Sequence, residues 1–169
     1  MTFFVAALFV LSTLTSPVRG LMPGAPFSLA ISTVQESVPA GSDIKLTIKL
    51  TNDTNHDITL IDMDQYCDYT VEVRDSNGQS VPETEKKRKL NCTDNPVAGK
   101  VITTKLKPGE HHEYLIFPDV LFDMIRPDKY TVQVSRKIPK ELGQGQVKSN
   151  TIEIAVTEWN PSVKSNPRD

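Results

Sequence analysis

The sequence has little of what many functional classes require. Its 19 basic and 21 acidic residues nearly cancel, so no strong field favours nucleic acid as a partner. No apolar run is long enough to cross a bilayer; the longest, Phe3 to Leu14, falls short of the roughly 20 residues a spanning helix needs. Alanine-rich or leucine-rich helical stretches are absent after the first fifteen residues. Signatures of chemistry are missing too: there is no Gly-x-Ser-x-Gly elbow, no glycine-rich phosphate loop, and no cysteine in the histidine and amide context of a thiol protease. These absences weigh against hydrolase, nucleotide-binding and membrane-channel readings. What the 169 residues do hold is abundant Thr, Val and Ile punctuated by 12 prolines, which is an all-β profile.

The apolar run Phe3 to Leu14 is followed by small and turn-forming residues, and Val18-Arg19-Gly20 fits a cleavage pattern. Residues 1–20 therefore read as a signal peptide, and the mature chain is expected to be secreted or periplasmic. A buried core helix is the alternative, but nothing downstream carries the helical periodicity on which it would pack. Cys67 and Cys92 are the only two cysteines. In an oxidising compartment they are expected to form a disulfide, closing a loop of about 25 residues worth roughly 3 kcal/mol; two unpaired buried thiols are the alternative. Asn52-Asp53-Thr54 and Asn91-Cys92-Thr93 match the N-glycosylation pattern, which matters only in a host that glycosylates its secreted proteins.

Along the mature chain, period-2 alternation is clearest where Ile44, Leu46, Ile48 and Leu50 share one face and Lys45, Thr47, Lys49 and Thr51 the other. Further strands are expected from Phe27, over Ile58–Ile61, around Val71 and Val73, over Lys100–Leu106, around Tyr114, over Tyr130–Val134 and over Ile152–Val156. Val38 to Ser42 reads as a turn, and Asn77-Gly78 signals a hairpin. Val120, Leu121, Met124 and Ile125 fit one short helical turn within 119–125, ahead of Pro127. The polar stretch from Pro82 to Gly99 contains the basic run Glu85 to Lys89 and is expected to be a solvated loop pinned by Cys92, with a polyanion-binding patch as the alternative. The fold class is thus all-β: a two-sheet antiparallel sandwich of immunoglobulin or fibronectin type III kind over 21–158, with seven or eight strands and a flexible tail over 159–169.

Two groups of possible metal ligands stand out. In Pro108-Gly109-Glu110-His111-His112-Glu113-Tyr114, a zinc-protease signature would need a second histidine where Ile116 stands, and a helix where Pro108-Gly109 starts a strand. On a strand His111 and His112 project to opposite faces, so only His111 with Glu113, or Glu110 with His112, could act together. Asp57, Asp62, Asp64 and Asp68 lack the spacing of a calcium loop and are expected to be exposed carboxylates. His56 reads as a solvated turn residue. No catalytic residue, metal site or cofactor is assigned.

The second half has a cadence: Leu106-Lys107-Pro108-Gly109-Glu110, then Asp119 to Asp123, then Arg126-Pro127-Asp128-Lys129-Tyr130-Thr131-Val132, then Val147 to Ile152. It resembles the accessory β-domains of deuterolysin-type secreted metallopeptidases and of small stand-alone exported bacterial proteins of immunoglobulin or fibronectin type III kind. The stretch from Val38 to Asn52 is similar to the opening of bacterial adhesion modules and of the proteinase inhibitor domains of bacilli. This resemblance spans about 27–157 and implies a scaffold with non-catalytic work outside the cytoplasm. The expected function is binding of a protein or a cell-envelope glycan through loops, with Pro82, Glu83, Lys86, Lys87, Arg88 and Lys89 as the candidate contact segment. A secreted peptidase inhibitor, using that segment or the Asn52–Asp57 turn, is the alternative; a metal-binding protein or metal-dependent enzyme using His111, Glu113 and His56 is the third reading.

Overall fold

The computed structural model describes residues 24–90, 92 and 102–159. The expected signal peptide over 1–20, residues 91 and 93–101 with the second sequon and the start of the strand expected from Lys100, and the tail beyond Trp159 lie outside the described residues. The described chain is built mainly of strands: β1 (Phe27–Ser32), β2 (Ser37–Pro39), β3 (Leu46–Asn52), β4 (Ile58–Asp62), β5 (Thr70–Arg74), β6 (Ile102–Leu106), β7 (His111–Ile116), β8 (Asp128–Lys137) and β9 (Gln146–Thr157). Three short helices interrupt them, α1 (Gln65–Asp68), α2 (Glu85–Lys89) and α3 (Pro118–Leu121). The strands form three sheets, ordered β1-β3-β7, β2-β9-β8-β5 and β4-β6. All pairs are antiparallel except β2 with β9, which run parallel. β2 was not expected. Its Val38 is buried and Pro39 ends it at a sheet edge, where a missing N–H costs nothing.

Alternation explains the packing. Leu46, Ile48 and Leu50 of β3 face inward and meet Phe27, Leu29 and Ile31 of β1, while Val71 and Val73 of β5 and Tyr130, Val132 and Val134 of β8 close the same core from the other side. Asn52 occupies the next inward position of β3 and is fully buried. Its Nδ2 donates to the His56 carbonyl at 2.8 Å and to the Leu106 carbonyl at 3.0 Å, and its Oδ1 accepts from the Thr54 amide and hydroxyl. The Asn52 sequon therefore locks the β3–β4 turn onto β6, and its amide is closed to a glycosyl transfer enzyme once the chain has folded.

Three local expectations change. The Asn77-Gly78 turn forms, with Gly78 at φ 75° donating to the Asp75 carbonyl, but the returning chain makes one bridge, Arg74 with Ser80, before Pro82 ends the pairing. The helical turn expected over 119–125 is α3, which starts on Pro118 and ends at Leu121; Phe122 then bridges to Glu83, and Ile125 is exposed. The basic run is helix α2 rather than a loop. Thr84 caps it by accepting from the Lys87 amide at 3.2 Å, and Lys87 and Lys89 reach back to Glu83 and Glu85 one turn earlier.

Candidate functional site

The candidate contact segment lies where α1, α2 and α3 meet at one end of the molecule. Thr84 anchors α2 on α3 through its amide, which donates to the Leu121 carbonyl at 2.9 Å, and its hydroxyl, which donates to the Val120 carbonyl at 2.7 Å. The Asp123 amide donates to the Pro82 carbonyl at 2.9 Å. Lys87 lies 3.8 Å above the Phe122 ring and 2.8 Å from a Glu83 oxygen, so it is a packing residue rather than an exposed charge. Lys89 pairs with Glu85 at 2.6 Å, while Lys86 lies 5.8 Å from the centre of the Tyr66 ring and Arg88 is exposed. Two of the four cations are thus locally paired, which reduces the patch that the sequence suggested for a polyanion.

Beside it, Cys67 on α1 is bonded to Cys92, as expected, with their Cα atoms 5.3 Å apart. α1 exists because Asp64 Oδ1 accepts from the Tyr66 amide at 2.7 Å, while Asp68 Oδ2 accepts from the Met63 amide at 2.9 Å. Burial pushes the Asp68 carboxyl up, against the Met63 hydrogen bond and the nearby Arg136 charge, and burial likewise raises the Tyr66 hydroxyl.

Beneath this end lies a polar cluster the sequence did not announce. Asp62 was expected to be an exposed carboxylate; instead its side chain and that of Arg136 are only 8% and 5% exposed, 2.6 Å apart. Arg136 Nη1 donates to the Tyr69 hydroxyl at 3.0 Å, and the guanidinium lies 5.0 Å from that ring's centre. The other Asp62 oxygen accepts from the Tyr114 hydroxyl at 2.8 Å and the Thr104 hydroxyl at 3.1 Å. Asp62 ends β4, Thr104 is on β6, Tyr114 on β7 and Arg136 on β8, so one carboxylate ties all three sheets together. Burial drives the Tyr69 hydroxyl far above its ordinary range, and it raises Tyr114, with the Asp62 hydrogen bond adding to the effect. Both tyrosines stay neutral, and both oxygens of Asp62 are engaged. The cluster cross-links β4, β6, β7 and β8.

Of the four acids expected to be exposed carboxylates, Asp57 and Asp64 are at the surface, Asp68 is half-buried and Asp62 is buried. A hydrogen bond from Lys105 at 2.9 Å lowers the Asp57 carboxyl, while Asp64 and Asp68 shape α1. His111 and His112 lie on successive positions of β7, opposite Thr51 and Leu50, and therefore on opposite faces. His112 stacks edge-on against Tyr114 at 4.6 Å, Glu110 accepts from the Lys107 amide at 2.8 Å, and His56 Nδ1 lies 3.2 Å from the Asn55 side-chain oxygen. Among the described residues no three His, Cys, Asp or Glu side chains converge as metal ligands. Among them, too, no helix is long and apolar enough to cross a membrane.

Sequence reasoning missed the Asp62–Arg136 pair although a signal was present. Asp62 follows Ile58 and Leu60 at the next inward position of β4, and Arg136 follows Tyr130, Val132 and Val134 on β8. A charge in phase with a buried face is a charge to be paired.

No protein-family model matches the chain, and no curated protein matches it. A β-glucosidase from Listeria innocua, solved in complex with glucose, is similar in structure at a TM-score of 0.40 and 14% identity. The match covers 79% of this chain and only 16% of that one.

Proposed function

We propose that the chain is an exported, non-catalytic immunoglobulin-like sandwich that binds another macromolecule, a protein or a cell-envelope glycan, through the end formed by α1, α2 and α3. In this reading β1-β3-β7 and β5-β8-β9 correspond to the two faces of the sandwich, with β4-β6 completing the first. The Tyr130 hydroxyl supports it: at the start of β8 it donates to the Arg126 carbonyl four residues upstream at 2.9 Å, the tyrosine corner of such folds. The disulfide supports an oxidising compartment.

The observation that carries the binding role is α2 itself. It contributes no buried residue, yet it is capped by Thr84, anchored to α3, and followed within three residues by the disulfide. An element anchored through Thr84 and Lys87, with none of its residues fully buried, is suited to presenting Lys86, Arg88 and Lys89 to a partner. A photo-crosslinking residue at Arg88, introduced in the native host, is expected to capture a defined partner, whereas the same residue at exposed Lys107, in the turn before β7 and so at the end of that strand away from α3, captures none. Equal capture at both positions, or none at Arg88, overturns the reading.

A secreted peptidase inhibitor is the second reading, and the rigid Asn52–Asp57 turn favours it, since a pre-ordered loop loses little entropy on entering a cleft. Dose-dependent inhibition of a panel of secreted proteases, abolished by changes in that turn, tests it.

A further inference from the structure

Among the described residues β5 is the outer strand of its sheet, and half of its outer edge is without a partner. Its register with β8 pairs Thr70 with Ser135 and Glu72 with Gln133, and the Thr70 carbonyl lies on the β8 side, 3.5 Å from the Ser135 hydroxyl. By the alternation of an antiparallel ladder, the backbone groups of Val71 and Val73 point the other way, out of the sheet. The chain begins to cover that edge itself. The Val81 amide donates to the Val73 carbonyl at 3.1 Å and the Asp75 amide to the Gln79 carbonyl at 2.9 Å. The cover stops there, because Pro82 has no N–H and its carbonyl is turned to Asp123. Among the described residues nothing pairs with the outward N–H and C=O of Val71.

A cleft of about 390 Å³ lies at this point, between the β5 edge and a wall made by Val81, Glu83, Lys87 and Phe122. Val81 and Phe122 are apolar and the Glu83–Lys87 pair forms the rim. Exposed edges are ordinarily blunted by proline, a bulge or an inward charge. β5, Thr-Val-Glu-Val-Arg, has none of these three; its protection is its short length, the exposed Glu72 and Arg74 on one face, and the partial cover by Ser80 and Val81, which leaves Val71 uncovered among the described residues.

We propose that this edge accepts an extended segment of a partner protein as an added strand, continuing the ladder that Ser80 and Val81 begin. The chemistry favours a polypeptide over a glycan. An outward donor and acceptor on Val71, beside the ladder already begun by Val81, match a peptide backbone, and Val81 and Phe122 line the cleft next to them. The inference deepens the binding role and rests on it, naming the partner's chemistry and moving its contact from the outer face of α2 to the cleft between α2 and β5.

The probe is a display library of linear peptides about a dozen residues long, selected on the full chain, followed by amide exchange of the protein with and without an enriched peptide. Enriched peptides are expected to alternate apolar and polar residues, to slow exchange at Val71 at least about tenfold, and to lose at least about tenfold in affinity for V71P, whose proline removes the outward N–H together with a buried valine side chain. Should V71P not fold, exchange at Val71 in the unaltered protein decides alone. Failure to enrich any peptide overturns the proposal. Protection confined to α2 overturns it too while leaving the binding role standing, and loss of that role itself is read separately from crosslinking at Arg88. Protection of Val71 that grows with protein concentration, without peptide, would identify a second copy of this chain as the occupant and overturn the partner-strand proposal.

Discussion

Removing Asp62 strands a charge. In D62A the Arg136 guanidinium, 5% exposed, loses its ion-pair partner and keeps the neutral Tyr69 hydroxyl as hydrogen-bond partner, with the Asp68 carboxyl only nearby, and the Tyr114 and Thr104 hydroxyls lose their acceptor. Breaking a buried pair from one side typically costs about 3–5 kcal/mol, because the remaining charge is desolvated without compensation. Since a domain's whole stability is about 5–15 kcal/mol, about a fifth or more of it is at stake. R136L should cost somewhat less, near the lower end of that range, because the carboxylate left behind still accepts from two hydroxyls. Replacing both charges, as in D62L/R136M, leaves no orphan charge and should fall within about 2 kcal/mol of the original protein. Urea unfolding followed by far-ultraviolet circular dichroism reads these differences, since the single tryptophan, Trp159, is largely exposed and reports poorly on the core. With a slope near 2 kcal/mol per molar, D62A should lower the midpoint by about 2 M. The reasoning is refuted if either single change costs under about 1 kcal/mol, the range of a surface pair, or if the two losses add in the double variant.

Three further outcomes follow from the same geometry. C67S should lower stability by roughly 3 kcal/mol, the chain-entropy value for a loop of this length, and thiol titration of the unaltered protein should find free thiols only after reduction. N52A should cost about 2–3 kcal/mol, since the His56 and Leu106 carbonyls both lose a buried donor; mass spectrometry of the protein made in a glycosylating host should find no glycan on Asn52. D68N should raise the melting temperature at neutral pH. The folded state raises the Asp68 carboxyl above its unfolded value, so the folded chain binds the proton more readily and Asp68 penalises folding increasingly as pH rises through that window. The gain should close as pH falls below the unfolded carboxyl range; a gain that persists there would contradict the burial argument.

Much of the strand framework was legible because one face of each strand is buried. Leu46, Ile48 and Leu50 advertise β3 by period alone, and Tyr130, Val132 and Val134 advertise β8. The short elements were less legible. α2 reads as a charged run, and only the contact of Lys87 with Phe122 and of Thr84 with Val120 gives that run a surface on which to fold. β2 hides in what looks like a turn, because its only partner, β9, comes from more than a hundred residues away. The candidate end was visible as a basic segment followed by a cysteine, but the division of its cations into paired Lys87 and Lys89 and outward Arg88 was not.

By itself, then, the sequence determined the β class, most strand positions and the failure of the histidine motif, because alternation, turn chemistry and ligand spacing are local properties. Tertiary structure decided the rest. Only the assembled sheets bring Asp62 within 2.6 Å of Arg136, turn the Asn52 sequon into a buried lock, and leave the backbone N–H and C=O of Val71 pointing out of an edge that Val81 has half covered. Each depends on which strand lies beside which, and pairing between distant segments is a choice that no local pattern encodes.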